Sequence, residues 1–338
     1  MLADPQTRGV LLSPALTGSG AVFYLTSFAT PGLTSFEPLT VKIPGTVTAG
    51  WDVEREGRML VALRRLRLGP LEMTLPRYVE SRRVGELPAL VSTSVFGTAM
   101  RVDGGRRRLA RPARVRGDFA MAGRWLADLQ EATRGRPGPV TWAGDLMGAI
   151  AGRWDGHPLL GRCLAALQVS DSHLRAETAP TSVVHGDFRP ANVRVKDGEV
   201  SGVVNWQHCH LSGSPLCDPT RFALMYAAQL GGPARSGLPR HRRQATAGGL
   251  GAGIWDALSG DDWFGGLVRS FISNALERVG VRPECWYDAA RAALAEAAIH
   301  EDDETGQLYL ELLAGLPMGR PWGRHVMHDK DEMGGGQQ

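Results

Sequence analysis

The chain has 338 residues, 43% of them apolar and 22% charged, with a formal net charge of +3. This composition excludes a wholly disordered chain and supplies a core for one large domain or two smaller ones. So small a charge gives no ground for a nucleic-acid partner, and no apolar run reaches the ~18 residues of a membrane helix. The first residues have neither the basic start nor the apolar stretch of a secretory signal, so the expected location is cytoplasmic. The four cysteines, at positions 163, 209, 217 and 285, form no C-x-x-C pair and read as free thiols. Only three of the 38 basic residues are lysines: Lys42, Lys196 and Lys330. In such a chain an arginine carries little message, while a lysine is an informative choice.

The first hundred residues read as strands around one helix. Residues 21–28 (AVFYLTSF) and 39–43 (LTVKI) are β-branched and aromatic. Residues 52–68 change to a helical period, with Met59, Leu60, Leu63 and Leu66 on one side. Two further strands are expected at 76–80 and 88–95, and Phe96-Gly97-Thr98 breaks the second. An Arg-rich connector, 101–116, follows and reads as a solvated link or as a basic rim facing an anionic ligand. Helices are expected at 118–132, 146–150, 159–169, 221–230, 262–279 and 285–301. Between them, 231–253 is a Gly- and Arg-rich loop whose basic stretch, 235–243, is either mobile surface or an anion contact. The acidic run 301–304 is either a solvated helix end or a cation-binding patch. The tail, 328–338, is expected to be disordered. The expected architecture is α+β and bilobal: a small β-rich lobe over 1–97 and a larger helical lobe over 98–327.

The most informative segment is V-V-H-G-D-F-R-P-A-N-V-R-V, residues 183–195. Its strand leads into His185-Gly186-Asp187, with Asn192 five positions beyond Asp187. A hairpin follows, turning at Asp197-Gly198, and its second strand ends at Asn205-Trp206. Phosphoryl transfer needs a carboxylate near the acceptor hydroxyl and oxygen ligands for a magnesium ion on the phosphates. Asp187, Asn192 and residue 205 are spaced to converge on one cleft. The neighbouring His208-Cys209-His210 with Cys217 matches no familiar zinc spacing.

H-G-D-x-x-x-x-N with a hairpin behind it resembles the aminoglycoside phosphotransferase and choline kinase families, relatives of the protein kinases. The resemblance spans most of the chain and implies a protein-kinase-like fold with ATP and Mg2+ between the lobes. It implies that Asp187 orients or deprotonates the acceptor hydroxyl and that Lys42 holds the α- and β-phosphates. Glu56, with Glu54 as its rival, is then the partner of Lys42. Asn192 and Asn205 are the implied metal ligands. Gly18-Ser19-Gly20 would cover the phosphates, though a plain turn is an equal reading. Residues 90–100 are similar to the adenine-contacting hinge, which gives Ser94 and Phe96 as nucleotide contacts. Asp218, in G-S-P-L-C-D-P-T-R, and His185 are structural supports of the loop.

One position departs from the pattern. The family carries an acid where this chain has Asn205, and Gln207 nearby is neutral as well. An amide brings no negative charge to a magnesium ion. Two readings therefore compete: an ATP-dependent phosphotransferase with an altered metal site, or an impaired pseudokinase that serves as a nucleotide- or substrate-binding scaffold. The acceptor is a hydroxyl of a small molecule or of a peptide Ser or Thr. Only 12 residues separate Asn205 from Asp218, too few for a long regulatory loop.

Overall fold

The computed structural model describes residues 10–11, 22–27, 38–102, 111–231 and 250–318. Gly18, Ser19 and Gly20, residues 103–110 of the Arg-rich connector, the basic stretch 235–243 and the tail 328–338 lie outside the described residues.

The N-terminal part is a five-stranded antiparallel sheet in the order β1-β2-β3-β5-β4. Its strands are β1 (Val10–Leu11), β2 (Val22–Ser27), β3 (Pro38–Ile43), β4 (Tyr78–Val84) and β5 (Leu87–Thr93). Lys42 lies in a central strand, in register with Phe23 of β2 and Leu90 of β5. Helix α1 (Val47–Leu63) packs across this sheet and starts earlier than its apolar period suggests. The Thr46 hydroxyl accepts the Ala49 N–H at 3.1 Å, so a side-chain cap, and not the first apolar residue, sets the helix start.

Gly97 makes the passage to the second part. Its φ is +115°, and a Cβ there would lie 2.8 Å from the Val195 carbonyl oxygen. Beyond it β6 (Thr98–Ala99) pairs with β10 (Val193–Lys196), which pairs in turn with β11 (Glu199–Val203). Asp197 and Gly198 both have positive φ, the backbone that a tight hairpin turn demands.

Helix α2 (Pro112–Ala132) begins six residues before its expected start. Pro112 suits a first helical turn, so part of the Arg-rich connector is helix. The short strands β7 (Pro137–Pro139) and β8 (Thr178–Pro180) pair around α3 (Trp142–Arg153) and α4 (Leu160–Arg175). Strand β9 (Ser182–Val184) pairs with β12 (His210–Gly213). The remaining helices are α5 (Cys217–Gly231), α6 (Leu250–Ser259), α7 (Trp263–Arg278), α8 (Trp286–His300) and α9 (Asp303–Gly315). Helices α6 and α9 were not expected from periodicity. The first borders the Gly-rich stretch and the second follows the acidic run. No helix among the described residues is long and apolar enough to cross a membrane.

The larger part is thus mainly helical, as the sequence predicts. Its core includes a cluster of rings around Phe119, which is 1% exposed. Phe222, Tyr226 and Phe271 have centroids 5.3, 5.0 and 5.0 Å from it, all edge-on. Alanines on α8 are buried on nearly every side of that helix, and their small side chains let neighbouring helices approach closely. Phe119→Ala removes the hub of the ring cluster and is expected to lower stability by about 3–5 kcal/mol, read as a shift of the urea denaturation midpoint.

Candidate active site

Strand β9 delivers His185, Gly186 and Asp187 to a buried turn. Gly186 has φ +77°, and a Cβ on it would strike the carbonyl oxygen of His208, so only glycine fits. The two N–H groups of this turn are taken by one side chain: Asp218 Oδ2 accepts from His185 N at 2.7 Å and Oδ1 from Gly186 N at 3.0 Å. Burial pushes the Asp218 carboxyl up to about 7, against the pull of those N–H donors.

The His185 ring is fully buried. Its Nδ1 accepts from the Asp187 N–H at 3.2 Å, which leaves Nε2 to donate to the Val204 carbonyl at 3.0 Å. Both bonds suit a neutral imidazole. Burial accordingly holds the ring down to about 4, despite the nearby Asp187. The ring stands edge-on to Trp206 at 4.6 Å, while Phe188 stacks on Trp125 of α2 at 5.3 Å. Aromatic packing on one side and Asp218 on the other therefore fix the loop.

From this loop a chain of polar contacts runs to the N-terminal sheet. Asn192 Nδ2 donates to Asp187 Oδ2 at 2.9 Å and to its backbone oxygen at 2.8 Å. Asn205 Nδ2 donates to Asn192 Oδ1 at 2.7 Å. Lys42 Nζ donates to Asn205 Oδ1 at 3.3 Å and to Glu56 Oε2 at 2.8 Å. Glu56 Oε1 accepts the Trp206 backbone N–H at 3.2 Å. Glu56 on α1 is thus the partner of Lys42, whereas Glu54 is exposed. Both members of the pair are buried, at 6% side-chain exposure each.

These contacts fix the orientation of both amides. A flipped Asn205 would face its oxygen to Asn192 Oδ1 and its NH2 to the ammonium. A flipped Asn192 would face its oxygen to two oxygens of Asp187. Asn205 itself sits in the left-handed region, with φ +71°, which asparagine tolerates better than most residues.

A magnesium ion needs oxygens with accessible lone pairs and local negative charge. Here the two expected ligand residues are neutral. The Asn192 oxygen accepts from the Asn205 NH2, and the Asn205 oxygen accepts from Lys42. Asn192 turns its NH2 to Asp187 and its oxygen outward, whereas residue 205 presents an NH2 donor and no charge, so it is Asn205 that does not fit the role of a magnesium ligand. In the His208-Cys209-His210 segment and beyond it, Cys209 and Cys217 are buried free thiols, and the Cys217 Sγ donates to Glu296 at 3.0 Å.

Asp187 is held from the other side by arginines. Arg221 Nε and Nη2 both donate to Oδ1, at 3.0 and 2.7 Å, a buried charge-assisted grip on one oxygen. Arg189 Nε lies 3.0 Å from Oδ2 but without the alignment of a hydrogen bond. Burial alone would push the Asp187 carboxyl up; Arg221 and Arg189 outweigh it and hold the group below the usual carboxylate range. Glu301 balances the arginines, 2.9 Å from Arg221 Nη2 and 3.6 Å from Arg189 Nη1.

Sequence reading missed both arginines as members of the site. The available signal was their placement, two residues after Asp187 and three after Asp218, but the excess of arginine hid it. Three residues of the acidic run are taken up by contacts within the chain. Glu301 joins the arginines, Asp302 caps α9 by accepting the Thr305 N–H at 3.0 Å, and Asp303 pairs with Arg153 at 3.1 Å. Of the hinge residues, the Ser94 hydroxyl shares a 2.7 Å hydrogen bond with Thr40 Oγ1. The Phe96 ring is 63% exposed, and its carbonyl accepts from Ser201.

The His185 geometry has a pH consequence. Its folded-state value lies below the ordinary 6.5, so its contribution to stability is complete above 6.5 and is lost as pH falls toward 4. Destabilisation by His185→Gln is therefore expected to be larger at pH 7 than at pH 5, by about 2 kcal/mol. Denaturation curves of both proteins at the two pH values give this difference, and equal values at both would refute it.

Comparisons with known proteins bear on the family and the fold. The profile of the APH phosphotransferase enzyme family matches residues 32–257. No functionally curated protein matches the chain in sequence. Among solved structures, the fold is similar to a thermostable mutant of aminoglycoside phosphotransferase APH(4)-Ia in ternary complex with ADP and hygromycin B. That likeness has a TM-score of 0.54 at 12% identity and covers 92% of this chain and 95% of that one. It is also similar to macrolide 2'-phosphotransferase type I, with a TM-score of 0.51 at 14% identity, over 91% of this chain and 90% of that one. Matched by the family profile over more than half its length, and carrying the H-G-D-x-x-x-x-N loop on a kinase-like fold, the chain belongs to the phosphotransferase enzyme family.

Proposed function

We propose that the chain transfers the terminal phosphate of ATP to a hydroxyl group of a small molecule. The observation that carries this reading is the buried contact chain from Lys42 and Glu56 through Asn205 and Asn192 to Asp187. It joins a phosphate-binding cation to a carboxylate able to receive a hydroxyl proton. The structures of similar fold, one of them holding ADP and hygromycin B, support a nucleotide with a small-molecule acceptor over a peptide. The exposed Phe96 ring and Ser94, at the end of β5, are the proposed adenine contacts.

In this reading Asp187 orients the acceptor hydroxyl and takes its proton as the new O–P bond forms. Four donors crowd its two oxygens, so one has to yield to the substrate. Arg189 is the one suited to do so, being 36% exposed and poorly aligned. Arg221 is the fixed grip, at 4% exposure. A carboxylate held this low is a weak general base, which favours orientation over full deprotonation before attack.

A second reading is favoured by the Asn205 amide, which points a donor where the phosphotransferase chemistry needs an oxygen ligand. Under it the chain binds nucleotide and serves as a scaffold. The two readings separate in one experiment: incubation with ATP and a panel of hydroxylated acceptors (aminoglycosides, macrolides, amino alcohols and a Ser/Thr peptide), followed by mass spectrometry. A gain of one phosphate on a small molecule is expected, with kcat/KM reduced about 10²- to 10⁴-fold in Asp187→Asn. Bound nucleotide with no modified acceptor would favour the scaffold.

A further inference from the structure

The amide of Asn205 differs from an aspartate at the same place in more than charge. Its NH2 lies 2.7 Å from Asn192 Oδ1, and its oxygen lies 3.3 Å from the Lys42 ammonium. Put a carboxylate there, and two oxygens face each other across 2.7 Å. That arrangement repels unless a cation or a proton stands between them. The amide supplies the hydrogen from its own side chain. Residue 192 keeps its orientation because its NH2 is held by two oxygens of Asp187. Asn205 thus occupies, with a covalently attached donor, the role that a divalent ion would have between residues 192 and 205.

The geometry points to Asn205 as the residue that makes nucleotide binding here independent of a divalent cation, the phosphate charge being met by Lys42 and Arg189 of the chain itself. This rests on the nucleotide reading of the cleft given above. The site's other carboxylates are engaged elsewhere: Glu56 with Lys42, Asp187 with Arg221, Asp218 with two backbone N–H groups, and Glu301 with Arg221. Each of these four carboxylates already faces a cation or N–H donors of the chain. Arg189, by contrast, is half-exposed, and its Nε makes no aligned hydrogen bond. It is a guanidinium able to turn toward a phosphate, for which its planar fork is well matched.

The sign of the magnesium effect follows. Magnesium lowers the net charge of ATP in solution. A site that ligates no ion loses attraction when it is added, whereas a site that ligates one gains. The test is titration calorimetry of ATP onto the full chain, in EDTA and in millimolar Mg2+, for the wild type and for Asn205→Asp. For the wild type, affinity in Mg2+ is expected to be equal to that in EDTA, or weaker, within about 3-fold. For Asn205→Asp, affinity is expected to rise about 10-fold or more on adding Mg2+. Wild-type binding that tightens about 10-fold with Mg2+ would overturn the inference while leaving the nucleotide reading intact. Absence of binding in both solutions would overturn both. The wild-type pair of titrations decides the matter even if the variant fails to fold.

Discussion

Both oxygens of Asp218 are taken up by the backbone N–H groups of His185 and Gly186, and the left-handed turn at Gly186 is closed by these two bonds. The positions of Asp187 and Asn192 follow from that turn. So does the His185 ring, whose one nitrogen meets the Asp187 N–H and whose other meets Val204, just before Asn205. A buried carboxylate at the start of α5 therefore sets residues on two different strands and a loop. Lost backbone partners in a dry interior are costly, which explains why the loop is wrapped in rings from Trp125, Phe188 and Trp206 and not in water-facing side chains.

The site is a balance of closely matched charges. Lys42 and Glu56 cancel on one side; Asp187 and Glu301 face Arg189 and Arg221 on the other. Between these two groups lie only the neutral amides of Asn192 and Asn205. Buried ion pairs of this kind hold geometry more than they add stability. What they do for chemistry is preorganisation: dipoles and charges are already aimed before a substrate arrives.

Much of this was legible in the sequence, and the reasons differ by residue. Lys42 stood out because lysine is rare in this chain. Asp187, Asn192 and Asp218 stood out because their spacing is fixed by the loop and hairpin that carry them. The choice of Glu56 over Glu54 needed the structure, since two residues on one helix differ in direction only once the helix is packed. Arg189 and Arg221 were hidden by composition: in a chain so rich in arginine, a functional guanidinium has no contrast against its background. The direction of the Asn205 amide was out of reach as well. A sequence shows that a charge is absent, but not that an N–H has taken the place of an oxygen lone pair. Helix starts were missed by several residues where a side-chain cap or a proline, and not an apolar residue, sets the boundary.

Glu56 grips both halves of the molecule, with one oxygen on Lys42 and the other on the Trp206 backbone. In kinase-like folds a helix in this place that swings outward serves as an off state. Here such a swing would strip a buried ammonium and a buried N–H of their acceptor in one movement, with Asn205 still tied to Lys42 from below. Helix α1 is thereby latched to the Trp206 turn as well as to the sheet, and an outward swing costs two buried polar partners at once.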